Sequence, residues 1–129
     1  MTGNAYGGAA GPGDVNGLLP LIFARPHEAL ARAQLILAGH PSAYEASVAH
    51  QVTGIVLREF GDVNAGVREL RAAARMARRT GSTEREADVL ASLGVALVYA
   101  GRTTAGLATF DDALKMSRGV LAGQVLHWF

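Results

Sequence analysis

The side chains able to do chemistry in this chain are its histidines, its carboxylates and an unusual run of arginines, and each group can be tested against the spacing that a reaction would demand. Cysteine is absent, which excludes disulfides and thiolate metal sites and leaves the redox compartment unreadable. The four histidines, His27, His40, His50 and His127, show no spacing that would hold a metal ion. His50 reads as a helix-packing residue. Asp111 and Asp112 are neighbours, so on a helix their carboxylates point apart and cannot work as a general acid and base. Serine, histidine and aspartate all occur, but nothing resembles a nucleophile elbow. The opening glycines, Gly3, Gly7, Gly8, Gly11, Gly13 and Gly17, suggest a phosphate loop. No strand precedes them, no Gly-Lys-Ser/Thr closes them, and Gly11-Pro12-Gly13 fails the dinucleotide spacing. Residues 1–17 therefore read as a flexible leader. Arg68, Arg71, Arg75, Arg78 and Arg79 could together meet an acidic protein or a phosphate. With Glu69 beside them and a net charge of only +1, they read as a solvated outer face. No enzyme, cofactor or metal is expected.

Composition says what must position these groups. Half of the 129 residues are hydrophobic but only 6% are aromatic; with Ala and Leu dominant, this favours helices packed through small side chains over a β-sandwich. The small net charge makes no electrostatic case for nucleic acid or an anionic membrane. No apolar run approaches the roughly 20 residues of a membrane span, and no basic segment precedes Leu18–Phe23 as in a secretory signal. A cytoplasmic location is the expectation.

The chain repeats itself at an offset of forty residues. Gly54 falls on Gly94, Leu57 on Leu97, Gly61 on Gly101, Gly66 on Gly106, Ala73 on Ala113 and Met76 on Met116. A period of this length means stacked supersecondary units that cannot bury their apolar faces alone. The units run over 47–86 and 87–126, after a degenerate copy over 18–46. Gly123 to Phe129 is expected to open a further copy whose repeat glycine would fall beyond the sequence, so the chain reads as an excerpt of a longer array.

Within the first full copy, Ser42 and Glu45 form a capping box that opens a helix to about Phe60. Its stripe of His50, Thr53, Gly54 and Leu57 packs on the next helix. Gly61 and Gly101 are expected as left-handed caps, with Asp62 and Thr103 as the following N-caps. The second helices span about Val63 to Arg79 and Thr104 to Arg118, turning Val67, Leu70 and Ala74, and Leu107, Phe110 and Leu114, to the core. Gly81 with Thr83–Glu86 repeats the stop-and-cap signal. Earlier, Leu18–Ala24 forms a short helix and Pro26–Ala38 a second one facing inward through Leu30, Ala33 and Leu37. A glycine inside a helix costs roughly 1 kcal/mol against alanine. Its recurrence at Gly54 and Gly94 implies a neighbouring helix crossing too closely for a Cβ.

The sequence Leu93-Gly94, Leu97, Gly101, Gly106, Phe110, Ala113 resembles the tetratricopeptide repeat, in its forty-residue subclass, over about residues 26–129. It departs from that family's consensus in the first aromatic, where His50 and Leu90 stand, and in the closing proline. The resemblance implies an all-α, right-handed solenoid of stacked antiparallel helix pairs. It also implies that the first helices line a groove through Val48, Gln51, Val52, Ile55, Arg58 and Glu59, then Asp88, Ala91, Ser92, Val95, Val98 and Tyr99. That surface is either a groove for an apolar peptide or helix, or a face covered by a neighbouring repeat or another domain. Val52, Ile55, Val95 and Tyr99 would form one apolar strip, anchored by Tyr99 and rimmed by Arg58 and Glu59. No lysine stands on either first helix, so the carboxylate clamp of chaperone-binding members is missing.

More narrowly, the order ASVAHQVTGIVLREFGDV, then VRELRAAARMARRTGS and READVLASLGVALVYAGRT, is similar to the repeat region at the N-terminus of bacterial proteins that carry a caspase-like CHAT domain. That implies a recognition or regulatory arm that binds a protein or peptide. The alternative is a signalling segment of a multidomain transcriptional regulator, whose groove would hold an intramolecular partner. Neither implies contact with nucleic acid or membrane.

Overall fold

The computed structural model describes residues 15 and 17–128, with side-chain surroundings to residue 119. Among these there are six helices and no strand: α1 (Leu18–Ala24), α2 (Pro26–Ala38), α3 (Ala43–Phe60), α4 (Val63–Thr80), α5 (Thr83–Tyr99) and α6 (Thr103–Trp128). The expected all-α class holds. The leader expected over 1–17 lies outside the described residues except for Val15 and Gly17.

Local chemistry sets the helix ends. Pro20 stands in the first turn of α1, where its missing N–H is harmless. Arg25, held out of the helical region by Pro26 (φ −144°, ψ 72°), separates α1 from α2. Ser42 and Glu45 close the capping box in both directions, Ser42 Oγ accepting from the Glu45 N–H at 3.1 Å and Glu45 Oε1 from the Ser42 N–H at 2.8 Å. Asp62 accepts from Asn64 and Ala65 at the start of α4. Ser42→Ala should lower stability by about 1 kcal/mol, read as a shifted urea midpoint with unchanged slope; an unmoved midpoint would show that the box contributes nothing.

Three expected caps differ. Gly61 has φ −144° and is not left-handed, whereas Gly101 is, at φ 82°. The N-cap of α5 is Ser82, one residue before Thr83, its side chain accepting from the Arg85 N–H; the forty-residue register places it on Ser42. Thr103 is already helical, because the register sets Arg102 opposite Asp62 and the cap position has passed to it.

The helices pair α3 on α4 and α5 on α6, with α4 against α5 and α2 against α3. Each hairpin closes on two glycines. A Cβ on Gly54 would lie 2.5 Å from Leu70 Cγ, and one on Gly66 would lie 2.8 Å from the Gly54 carbonyl oxygen; Gly106 repeats this at 2.9 Å from the Gly94 oxygen. The close crossing read from Gly54 and Gly94 is therefore present, and each glycine faces a second one on the opposing helix. The core runs from Leu18 and Ile22 of α1 through Val48, Val52 and Ile55 to Leu93 and Leu97 of α5. In α2 the buried stripe is Ala29, Ala33 and Ile36, with Leu30 and Leu37 only partly covered. It is rotated by one residue from the expected face.

Two expectations fail in α6. The helix does not stop near Arg118 before a new copy begins at Gly123; it continues to Trp128. No proline or Ser/Asp cap interrupts 119–123, and two glycines, each unfavourable by about 1 kcal/mol, are too little to end an otherwise apolar helical run. Leu107 and Leu114 do not face the core either. They are 59% and 50% exposed, whereas their counterparts in α4, Val67 and Ala74, are 4% and 5% exposed. The difference is one of neighbours: α5 covers α4, and no described helix stands on α6 in the same way.

Candidate functional site

The expected groove divides along the repeat. On α3, Val48, Gln51, Val52 and Ile55 are all buried, so the open apolar strip does not exist there. The physical reason is α1, whose Leu18 and Ile22 join Val48, Val52 and Ile55 in one core. The covered-face alternative describes α3. On α5, Asp88 is exposed, Ala91, Ser92 and Val95 are half-buried, and Tyr99 is 56% exposed. Val98 is turned differently, its Cγ2 occupying the space that a Gly106 Cβ would need. It belongs to the α5–α6 hairpin and not to a groove.

Between α3 and α5 the structure builds a polar cluster around Gln51, which is 1% exposed. Its amide donates to Ser92 Oγ at 3.1 Å and Asp88 Oδ2 at 3.3 Å, and its Oε1 accepts from Arg85 Nη2. Arg85 reaches Asp88 at 3.5 Å with a side chain only 6% exposed, and its guanidinium lies 5.9 Å from the centre of the Tyr44 ring. Arg85 Nε is buried without a partner. Further along, Arg58 donates to Glu59 at 2.8 Å and to the Ser92 carbonyl at 3.2 Å, with its guanidinium 5.8 Å from the Tyr99 ring. Arg58, expected with Glu59 at a rim, thus braces α3 against α5, while Glu59 on the same helix holds its guanidinium. A cleft of about 250 Å³ beside the first cluster is lined by Tyr44, Ser82, Glu84, Arg85 and Asp88.

Arg85 was missed in the sequence, although a signal was there. It stands forty residues after Glu45 of the capping box. An arginine at that position cannot accept the returning N–H, so the side chain is released to turn inward.

Two further pairs stand apart from this cluster. His50 Nδ1 lies 2.9 Å from Glu69 Oε1 across α3 and α4, as expected for a packing histidine. No group of three metal-ligating side chains occurs among the described residues. Asp111 pairs with Lys115 at 3.0 Å, and this hydrogen bond, with the carboxylate's charge, raises the lysine above its ordinary value of 10.5. A raised lysine favours folding below its unfolded pKa and loses that contribution only as pH rises through the folded one, so the pair is no switch near neutrality. No described helix is long and apolar enough to cross a membrane. Compared with protein-family models, curated proteins and solved structures, the chain matches none.

One open apolar surface lies on the last hairpin, through the exposed Leu107 and Leu114 of α6, with Val95 of α5 half-buried; Phe23, Leu35 and Phe60 are exposed elsewhere. Val95 of α5 stands opposite Ile55 in the repeat register, and Leu107 and Leu114 of α6 stand opposite Val67 and Ala74. In the earlier copy α5 lies against both α3 and α4.

Proposed function

We propose that the chain is a protein-interaction scaffold of the tetratricopeptide type, a recognition arm whose docking face is the open side of the α5–α6 hairpin. The observation that carries this is the contrast between Val67 and Ala74, sealed at 4% and 5%, and Leu107 and Leu114, open at 59% and 50%. Burying the exposed half of two such leucines contributes about 1.5–3 kcal/mol in total, and the fold supplies the pattern for doing it: a helix laid as α5 is laid on α3 and α4. The partner is therefore an amphipathic helix with small and aliphatic residues on its buried face, presented by another protein or by a further domain. Tyr99, exposed on α5 with Arg58 of α3 over its ring, offers an aromatic contact to the same partner.

The test is affinity capture from extract of the source cells with wild type, a Leu107→Asp/Leu114→Asp variant and a Tyr99→Ala variant. The leucine variant should keep the wild-type circular dichroism and lose the captured protein, and Tyr99→Ala should weaken capture. A partner retained by the leucine variant overturns the assignment.

A further inference from the structure

The arginines of α4 form a second surface that the hairpin face does not explain. Arg78 leaves the row for Glu86 at 3.5 Å. Arg68, Arg71, Arg75 and Arg79 are exposed, and among the described residues none of the four has an ion pair or hydrogen bond. Their spacing sets them in one stripe about 16 Å long at the rise of an α-helix. Like charges three and four residues apart oppose helix formation, and no acid on α4 relieves them: Glu69 is turned to His50 and Asp62 is engaged at the N-cap.

The repeat shows that the fold does not ask for this stripe. The same four positions are Glu28, Ala31 and Leu35 in α2 with Gly39 as its C-cap, and Ala108, Asp111, Lys115 and Gly119 in α6. Acidic, small, apolar and basic residues all serve there.

We infer that the solvent side of α4 is a docking stripe for an acidic peptide segment, independent of the α5–α6 face, with Arg68, Arg71, Arg75 and Arg79 each free to take a carboxylate in fork geometry. Charge complementarity selects this occupant. A nucleic acid needs a broad basic surface, whereas this stripe is one residue wide, with Glu69 and Glu86 close by and a net charge of +1 on the whole chain. A second copy does not fit, because the sequence holds no acidic run beyond Asp111-Asp112 and the first of these is paired with Lys115.

The probe is a fluorescein-labelled decaglutamate peptide, followed by anisotropy at low and high sodium chloride, beside a labelled DNA duplex and vesicles containing phosphatidylserine. Wild type should bind the peptide with an affinity that falls about tenfold or more as salt screens the contacts. Arg71→Ala/Arg75→Ala should weaken it about tenfold or more, at about 1.4 kcal/mol per tenfold step, without lowering the melting temperature, since it relieves repulsion within α4. Arg32→Ala/Arg102→Ala, which removes the same charge elsewhere, should leave binding unchanged. Absence of peptide binding, equal loss in both double variants, or tighter binding of the duplex or the vesicles at the same salt would overturn the proposal.

Discussion

Gly66→Ala should lower the melting temperature by roughly 4–12 °C, corresponding to an overpacking loss of about 1–3 kcal/mol. The added Cβ would stand 2.8 Å from the Gly54 carbonyl oxygen and 3.0 Å from the Arg58 nitrogen. Both are backbone atoms, so relief requires α3 and α4 to part. At an unobstructed helical position the same change stabilises by about 1 kcal/mol, which makes the sign of the effect the test. Gly119→Ala supplies that control, because nothing lies within 4 Å of its Cβ position. Gly94 is the softer case: its Cβ would meet the Phe110 ring, which can turn aside, at 3.1 Å and a backbone atom, the Gly106 oxygen, only at 3.2 Å, against 2.8 Å for Gly66, so alanine should be milder there and leucine severe. A Gly66→Ala protein melting with wild type would remove the close crossing from the account of the fold.

The second large effect belongs to the buried polar cluster. Gln51→Leu takes from Arg85 its neutral acceptor while Arg85 Nε already lacks one, leaving a nearly buried guanidinium with Asp88 at 3.5 Å. The expected loss is about 1–3 kcal/mol, the penalty of a nearly buried guanidinium that has lost its neutral acceptor and keeps only Asp88. Adding Arg85→Leu to Gln51→Leu should recover much of that loss, because a pair of apolar side chains replaces the whole interaction. Urea denaturation of the two single variants and the double variant measures the coupling. Strict additivity would mean that Gln51 and Arg85 do not act as a unit.

What the sequence disclosed was whatever is decided within one helix or one hairpin. The Ser42–Glu45 box, the Asp62 cap and the Gly54 and Gly94 notches rest on contacts between near neighbours or on a repeated cost, and all are found. What stayed hidden depends on which neighbour covers a face. Val52 and Val95 both read as apolar positions of a first helix. Only the seating of α1 makes one core and leaves the other half open. Leu107 and Leu114 read as core for the complementary reason, since their pattern is that of Val67 and Ala74, and whether a helix covers a face leaves no mark on that pattern. Arg85 was obscured because its role begins where the repeat breaks its own capping rule.

The seam between α4 and α5 has a mechanical consequence. It is a small core of its own, Ala73, Ala74 and Ala77 against Val89, with methyl groups as its ridges. Within a hairpin the opposed glycines act as a detent, since sliding one helix along the other drives a carbonyl or Leu70 out of its notch. Methyl ridges are shallow and offer little resistance to such shear. The seam is only one side of the joint, because α3 and α5 are tied through the shared core, through Arg58 on the Ser92 carbonyl and through the Gln51–Arg85 cluster. A tilt between the hairpins would therefore open the alanine seam with the α3–α5 contact as its hinge.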